Sequence, residues 1–378
     1  MKTGTHILLG VLIAVALPLF ALALNTLATG FQIGSTQTTI DAHGVCQKVN
    51  ATDGKSYFVP TNTAGEWSAF RSNKPSGVSL ADCCMPSGVA SWTQVASMPI
   101  AKSYSPAASL TDGRILMCTG FLSGTPYYDN TCHVYNISSD VWTQVANAPE
   151  ARSQAIEATL SNGNILLCGG WSGGSSFKSR CDTYNASTNG WTQVANLPQA
   201  KTRSVATELT DGRVLVCGGQ VSESGLTNRC DIYDNSTNTW TQVASLPEAK
   251  YSPSAAALVD GRVLLCGGYN GSTALTRCDT YDVVTNAWTQ VASLPVAEAF
   301  GGAETLHDGN VLMCVSNRCD LYDPTANTWV PTAAPGGATG AFGMARLNDG
   351  RVIKCGGANW FATNFCEVYD SGTTCQNI

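Results

Sequence analysis

Lys102, Arg152, Lys201, Lys250 and Glu298 recur along the chain at steps of 50, 49, 49 and 48 residues. Four cations beside one carboxylate, gathered into a ring, would bind or steer an anionic ligand. The same residues can instead pack or pair inside each repeating unit. The carboxylates Glu157, Glu208 and Glu304 fall at three different offsets within the units. They therefore form no repeated acid/base set. His6, His43, His133 and His307 stand at unrelated places, which speaks against a histidine metal centre. No metal and no cofactor is expected.

The sixteen cysteines are the second chemical group. Twelve occupy two fixed places per unit: Cys118 and Cys132, Cys168 and Cys181, Cys217 and Cys230, Cys266 and Cys278, Cys314 and Cys319, Cys355 and Cys366. Oxidised bridges, zinc ligation and buried free thiols are the three readings of such pairs. The absence of C-x-x-C spacing weighs against zinc. Cys46, Cys83, Cys84 and Cys375 remain, an even number. Cys46 with one of the vicinal pair would staple an N-terminal module, and Cys375 with the other would pin the tail to it. The choice between Cys83 and Cys84 stays open.

The compartment follows from the N-terminus. Lys2 precedes an apolar run, Ile7 to Leu24, that ends in Ala21-Leu22-Ala23. This reads as a secretory signal cut after Ala23. An uncleaved membrane anchor and a prepilin-type leader ending at Gly4 are alternatives. All three export the remainder, which makes disulfides the expected state of the cysteines.

The elements that must position these groups come from a repeat. Trp-Thr-Gln-Val-Ala recurs at Trp92, Trp142, Trp191, Trp240 and Trp288, with a diverged copy at Trp329. A period near 49 residues marks a propeller or a solenoid array. Each unit opens with a small, apolar run near Ala101, Ala151, Ala200, Ala249, Ala297 or Ala338. An Asp-Gly or Asn-Gly hairpin turn follows, such as Asp211-Gly212. A hydrophobic strand then ends in Cys-Gly-Gly, a polar loop leads to Arg-Cys-Asp-x-Tyr, and a Thr-Asn turn leads to the Trp strand. Four strands per unit result. The Trp92 strand precedes any complete unit, and the last unit lacks a Trp strand. Trp92 should therefore complete the last blade and close a six-bladed ring, hiding the open edges.

The shortest unit predicts the disulfide register. In Cys314-Val315-Ser316-Asn317-Arg318-Cys319 a two-residue turn at Ser316-Asn317 makes Val315 and Arg318 the hydrogen-bonded pair. Cys314 and Cys319 are then the next pair, non-hydrogen-bonded, with Cα atoms about 4.5 Å apart. That lies at the short end of the disulfide range. The same pairing is expected in all six blades, each bridge stabilising by about 2–3 kcal/mol on the chain-entropy model.

The Gly-Gly doublet after a hydrophobic strand, the Tyr and the Trp about seven residues later resemble the Kelch repeat, over residues 91 to 370. Cys118-Thr119-Gly120 in the first unit and Cys314-Val315-Ser316 in the fifth depart from it. The resemblance implies an all-β, six-bladed Kelch-type β-propeller. Kelch-type copper radical oxidases need two His, two Tyr and a Tyr-bonded Cys, a set these histidines do not supply. Six-bladed sialidases carry an Asp-box and an arginine triad, neither evident here. Bacterial sialic-acid mutarotases are six-bladed Kelch proteins, and likeness to them implies acid/base residues and cations at the central axis.

The expected boundaries are 1–24 signal peptide or membrane anchor, 25–45 polar stalk, 46–90 small disulfide-stapled module, 91–370 propeller and 371–378 tail. Within the module, Thr63 and Glu66 form a capping box that predicts a short helix from about Ala64 to Arg71. Sequons stand at Asn50, Asn136, Asn185, Asn235 and Asn270.

With 13% charged residues and a net charge of −6, the chain lacks the basic face of a nucleic-acid binder. Its 44% hydrophobic content excludes disorder. The loops between second and third strands vary and carry aromatics: Phe121, Tyr127 and Tyr128, then Trp171 and Phe177, then Tyr269, then Trp360 and Phe361. Aromatics on loops over a rigid scaffold suit protein recognition or stacking on sugars. They can equally fold back over the blade ends. The resulting expectation is a secreted or cell-surface, extracellular or periplasmic, non-catalytic binding or adhesion module with a protein or glycan partner. A carbohydrate-active enzyme acting at the channel mouth and a structural subunit of a surface fibre are the alternatives.

Overall fold

The computed structural model describes residues 49–50, 56–57, 84–86, 89–337, 340–358 and 361–375. The leader, the stalk, the Ala64–Arg71 helix, Cys46, Cys83 and Trp360 lie outside them. Among the described residues there is no helix. Two short antiparallel pairs, Val49–Asn50 with Ser56–Tyr57 and Cys84–Pro86 with Thr373–Cys375, belong to a separate unit. In the second pair the backbone sets Cys375 opposite Cys84.

Residues Ala90–Ser371 form six four-stranded antiparallel sheets. The innermost strands are Ala107–Ser109, Ile156–Thr159, Val205–Glu208, Ser254–Ala257, Gly302–Thr305 and Gly343–Arg346. They start about five residues later than the small, apolar runs implied. The reason is a residue with positive φ just before each strand, which no strand can include. Blade 6 runs Gly343–Arg346, Val352–Cys355, Cys366–Asp370 and then Ser91–Val95. Trp92 thus closes the ring as expected, opposite Tyr369.

Second strands are buried along their whole length, for example Ile165–Cys168, except that the blade 1 strand Ile115–Phe121 ends on the half-buried Phe121. A strand covered on both faces needs no polar alternation. Its side chains alternate between neighbours: Ile165 and Leu167 pack with blade 1, and Leu166 and Cys168 pack with blade 3. The core is therefore a set of inter-blade layers, each closed only by the next blade.

The Trp-Thr-Gln-Val-Ala repeat is a clasp between blades. The Trp191 indole donates to the Ala146 carbonyl of the preceding blade at 2.9 Å, and Trp240 donates to Ala195 at 2.9 Å. The Asn189 side chain accepts from the Ala146 N–H at 2.8 Å and from the Tyr184 hydroxyl at 3.0 Å. Asn238 repeats this with Ala195 and Tyr233. Both asparagines sit at φ near +50°, a conformation that asparagine tolerates better than most residues. Trp, Tyr, Asn and Ala thus recur because one interaction recurs. In the closing blade Trp92 donates to the Ala333 carbonyl, and Thr332 replaces the asparagine beside Tyr369.

All six in-blade disulfides are formed, with Cα–Cα distances of 4.1–4.2 Å. Val315 pairs with Arg318 and Cys314 with Cys319, the predicted register. Such cystine density is characteristic of oxidising, extracytosolic compartments. The Gly-Gly doublets admit a neighbouring backbone: a Cβ on Gly169 would stand 2.6 Å from the Lys201 carbonyl oxygen. In blade 1 Thr119 takes this left-handed place at φ 58°, and its hydroxyl is buried without a partner.

Candidate functional site

The expected ring of Lys102, Arg152, Lys201, Lys250 and Glu298 does not line the channel. Each of these residues is buried and turned into its own blade. Lys102 pairs with Asp129 and donates to the Thr131 carbonyl at 2.8 Å. Arg152, fully buried, pairs with Asp182 at 3.2 Å and donates to the carbonyls of Gly169 and Arg180. Lys201 lies 3.7 Å from Asp231, and Lys250 lies 3.9 Å from Glu248. In blades 2 and 3 the Asp of Arg-Cys-Asp is thus the inner counter-ion of the recurring cation, and its outer partner is the Arg two residues earlier. Burial lowers the Lys201 pKa to about 8, with Asp231 opposing the shift. His133 occupies the Asp182 place in blade 1 and is buried on its third strand. Thr339, the sixth position, is outside the described residues.

Blade 5 breaks this pattern. Glu298 stands where blades 1 to 4 carry a cation, facing Asp320, which Arg318 already holds. Burial first, then the Asp320 charge, raises the Glu298 pKa to about 7. Glu304 is also raised to about 7, by burial, with Arg346 opposing. A carboxyl whose folded pKa exceeds its unfolded value binds its proton more tightly when folded. Its contribution is fully present below about pH 4.5 and is lost as pH rises towards 7. Glu298→Gln should therefore raise the denaturant-unfolding free energy at pH 8 by about 1–2 kcal/mol, after discounting for partial solvent access, and change little at pH 4.5. An equal gain at both pH values would refute the assignment.

What lines the channel is a second ring, two residues further along each repeat. Tyr104, Gln154, Arg203, Ser252, Phe300 and Ala341 all have φ between 49° and 66°. Their backbones form a closed cycle, each N–H donating to the carbonyl of the preceding blade. The distances are 2.7 Å for Tyr104 to Ala341, 3.1 Å for Gln154 to Tyr104 and 3.1 Å for Arg203 to Gln154. Ser252 to Arg203 is 2.7 Å, Phe300 to Ser252 is 3.2 Å and Ala341 to Phe300 is 2.9 Å. The cycle offsets the backbone strain that a left-handed non-glycine residue carries.

Below this ring a cavity of about 870 Å³ runs between the inner strands. Glu157, Glu208, Glu304 and Arg346 face it. Glu157 has both oxygens buried without a hydrogen bond, and burial pushes its pKa well above the usual carboxylate range despite Lys102 and Arg152. The three glutamates face different rows of the inner strands: Glu157 opposes Leu167, Glu304 opposes Leu312 and Glu208 opposes Val214.

The sequence-predicted aromatics gather beside the mouth. Phe121, Trp171 and Tyr269 each bridge through the backbone to the residue just before the ring position of their blade, at Ser103, Ser153 and Tyr251. Phe121 stacks on Tyr127 at 5.9 Å and meets Tyr128 edge-on. Tyr128 in turn meets Trp171 of blade 2 at 5.5 Å. Tyr127 is 51% exposed and Phe361 is 76% exposed. The Ala362 N–H donates to Ser123 Oγ, which brings the Phe361 loop beside that of blade 1. Phe177 pairs with Trp171 through the backbone. A second aromatic group crosses the mouth itself, from Tyr269 to Tyr251 at 5.4 Å, on to Phe300 at 5.8 Å and to Tyr104 at 6.2 Å.

Arg203 and Arg346 were missed by sequence reasoning, although a signal existed. Eight of the other described arginines have an aspartate two residues away, and these two have none.

The family model described as Kelch motif matches residues 202–247 and 250–295. No curated protein sequence matches. Among solved structures, one titled "Structure of YjhT" aligns with a TM-score of 0.62 at 16% identity, covering 72% of this chain and 95% of that chain. Likeness at this identity is likeness of fold.

Proposed function

We propose that this chain, a six-bladed Kelch-repeat β-propeller, is an exported binding module that takes a glycan on its loop face. The observation that carries the reading is the aromatic strip Tyr127, Phe121, Tyr128 and Trp171, which spans two blades. Aromatic rings present flat, weakly hydrated faces that stack on sugar rings. The strip rests on strands locked by disulfides, so little ordering cost accompanies binding. Export agrees with the apolar run from Ile7 to Leu24 and with the six bridges.

Glycan-array binding by the oxidised chain tests this reading. Tyr127→Ala combined with Trp171→Ala should reduce the array signal about tenfold or more while leaving the thermal midpoint nearly unchanged. Full binding by the double variant would remove the strip from consideration, and recognition confined to proteins would replace the glycan.

A second reading has one specific observation behind it. Burial raises the pKa of Glu304 to about 7 and that of Glu157 in the same direction, both in the wall of the channel, and a raised carboxyl pKa is what a general acid requires. A carbohydrate-active enzyme would use them. Turnover of a sugar substrate that disappears in Glu304→Gln would favour it.

A further inference from the structure

Nine of the eleven arginines among the described residues pair with an aspartate. The two with no such pair, Arg203 and Arg346, both line the channel. Arg203 belongs to the hydrogen-bonded ring at the mouth, so its backbone is fixed. Its guanidinium carbon lies 5.6 Å from the Tyr104 ring centre, 5.2 Å from Tyr251 and 5.6 Å from Phe300. Nη1 reaches the neutral Gln220 Oε1 at 3.4 Å, and Nε is buried without a partner. The ring faces hold the cation in place without neutralising it. A planar guanidinium that is already oriented and lacks a counter-ion matches a carboxylate through paired hydrogen bonds.

We propose that the channel mouth binds one small organic carboxylate, its anionic group on the Arg203 guanidinium and the rest of the molecule within the channel between the inner strands. The site goes beyond the aromatic strip: blades 1, 3, 4 and 5 build it, and Trp171 takes no part. The positive charge is local to Arg203 at the mouth, on a chain whose net charge is −6. An anion is therefore recognised by the mouth and not by the surface at large.

Calorimetric titration of the oxidised protein with glucuronate, malate and, as neutral control, glucose tests the site. Saturable binding of at least one acid is expected, with none of glucose. Arg203→Met should weaken that binding about 10- to 100-fold, the loss of a charge-assisted hydrogen-bond pair. Arg203→Lys, which keeps the charge and the stem, should lose less and guards against a folding defect. Trp171→Ala should leave acid binding unchanged, which separates this site from the glycan strip. Absence of saturable binding of both acids below about 10 mM, or equal affinity in Arg203→Met, overturns the proposal.

Discussion

Replacing Cys118 and Cys132 together by alanine will lower the unfolding free energy by about 3 kcal/mol, and the same change at Cys314 and Cys319 by about 2 kcal/mol. The ranking follows from the loops the bridges close, which separate the cysteines by 14 residues in blade 1 and 5 in blade 5. A longer loop restricts more of the unfolded chain when it is closed. All twelve cysteines are fully buried or nearly so, and alanine leaves no unsatisfied polar group in their place. The six bridges together contribute on the order of 15 kcal/mol, as much as the whole stability of a typical domain. A chain lacking all twelve cysteines is therefore expected not to fold. Denaturant midpoints and slopes of the two double variants test the ranking. A greater loss in blade 5 than in blade 1 would mean that native-state packing around the sulfurs, not chain entropy, dominates.

The fold was legible because its determinants are local and repeated. A strand has period two, a two-residue turn fixes the register beside it, and Cys314 and Cys319 therefore had to face each other. Trp92 could be assigned to the last blade because a ring with one missing strand has one place for it. The site was legible only in part. The aromatics of the variable loops do gather at the mouth, since those loops begin beside the ring residues. The recurring cations pointed the other way because the chain turns left-handed just after them, at Tyr104, Gln154 and Arg203. A single residue of positive φ reverses which side chains face the axis, and that φ leaves little mark in residue type: Tyr, Gln, Arg, Ser, Phe and Ala occupy the six places. The grouping around Arg203 was out of reach for another reason. Its members come from four blades and share no sequence spacing.

Asp182→Ala will cost about 3–5 kcal/mol, although Asp182 touches neither the channel nor the loop face. Its carboxylate lies between two arginines of different status. Arg180 is partly exposed and binds it through Nε and Nη2, at 2.7–3.1 Å. Arg152 is fully buried and reaches it at 3.2 Å. Loss of the carboxylate frees Arg180 to turn to water. Arg152 has no such escape, because its Nη1 is held by the carbonyls of Gly169 and Arg180. Burial already lowers its pKa, with the Asp182 charge as the main opposing influence. An uncompensated buried cation is the costly outcome, more so than the missing attraction itself. Adding Arg152→Met to Asp182→Ala should therefore return part of the lost stability, since an apolar chain of similar reach fills the site without charge. The measurement is a double-mutant cycle on urea-unfolding free energies. Simple additivity of the two losses would show that Arg152 and Asp182 stabilise the blade independently, and the recurring cation would then be a packing residue, with its pairing to Asp incidental.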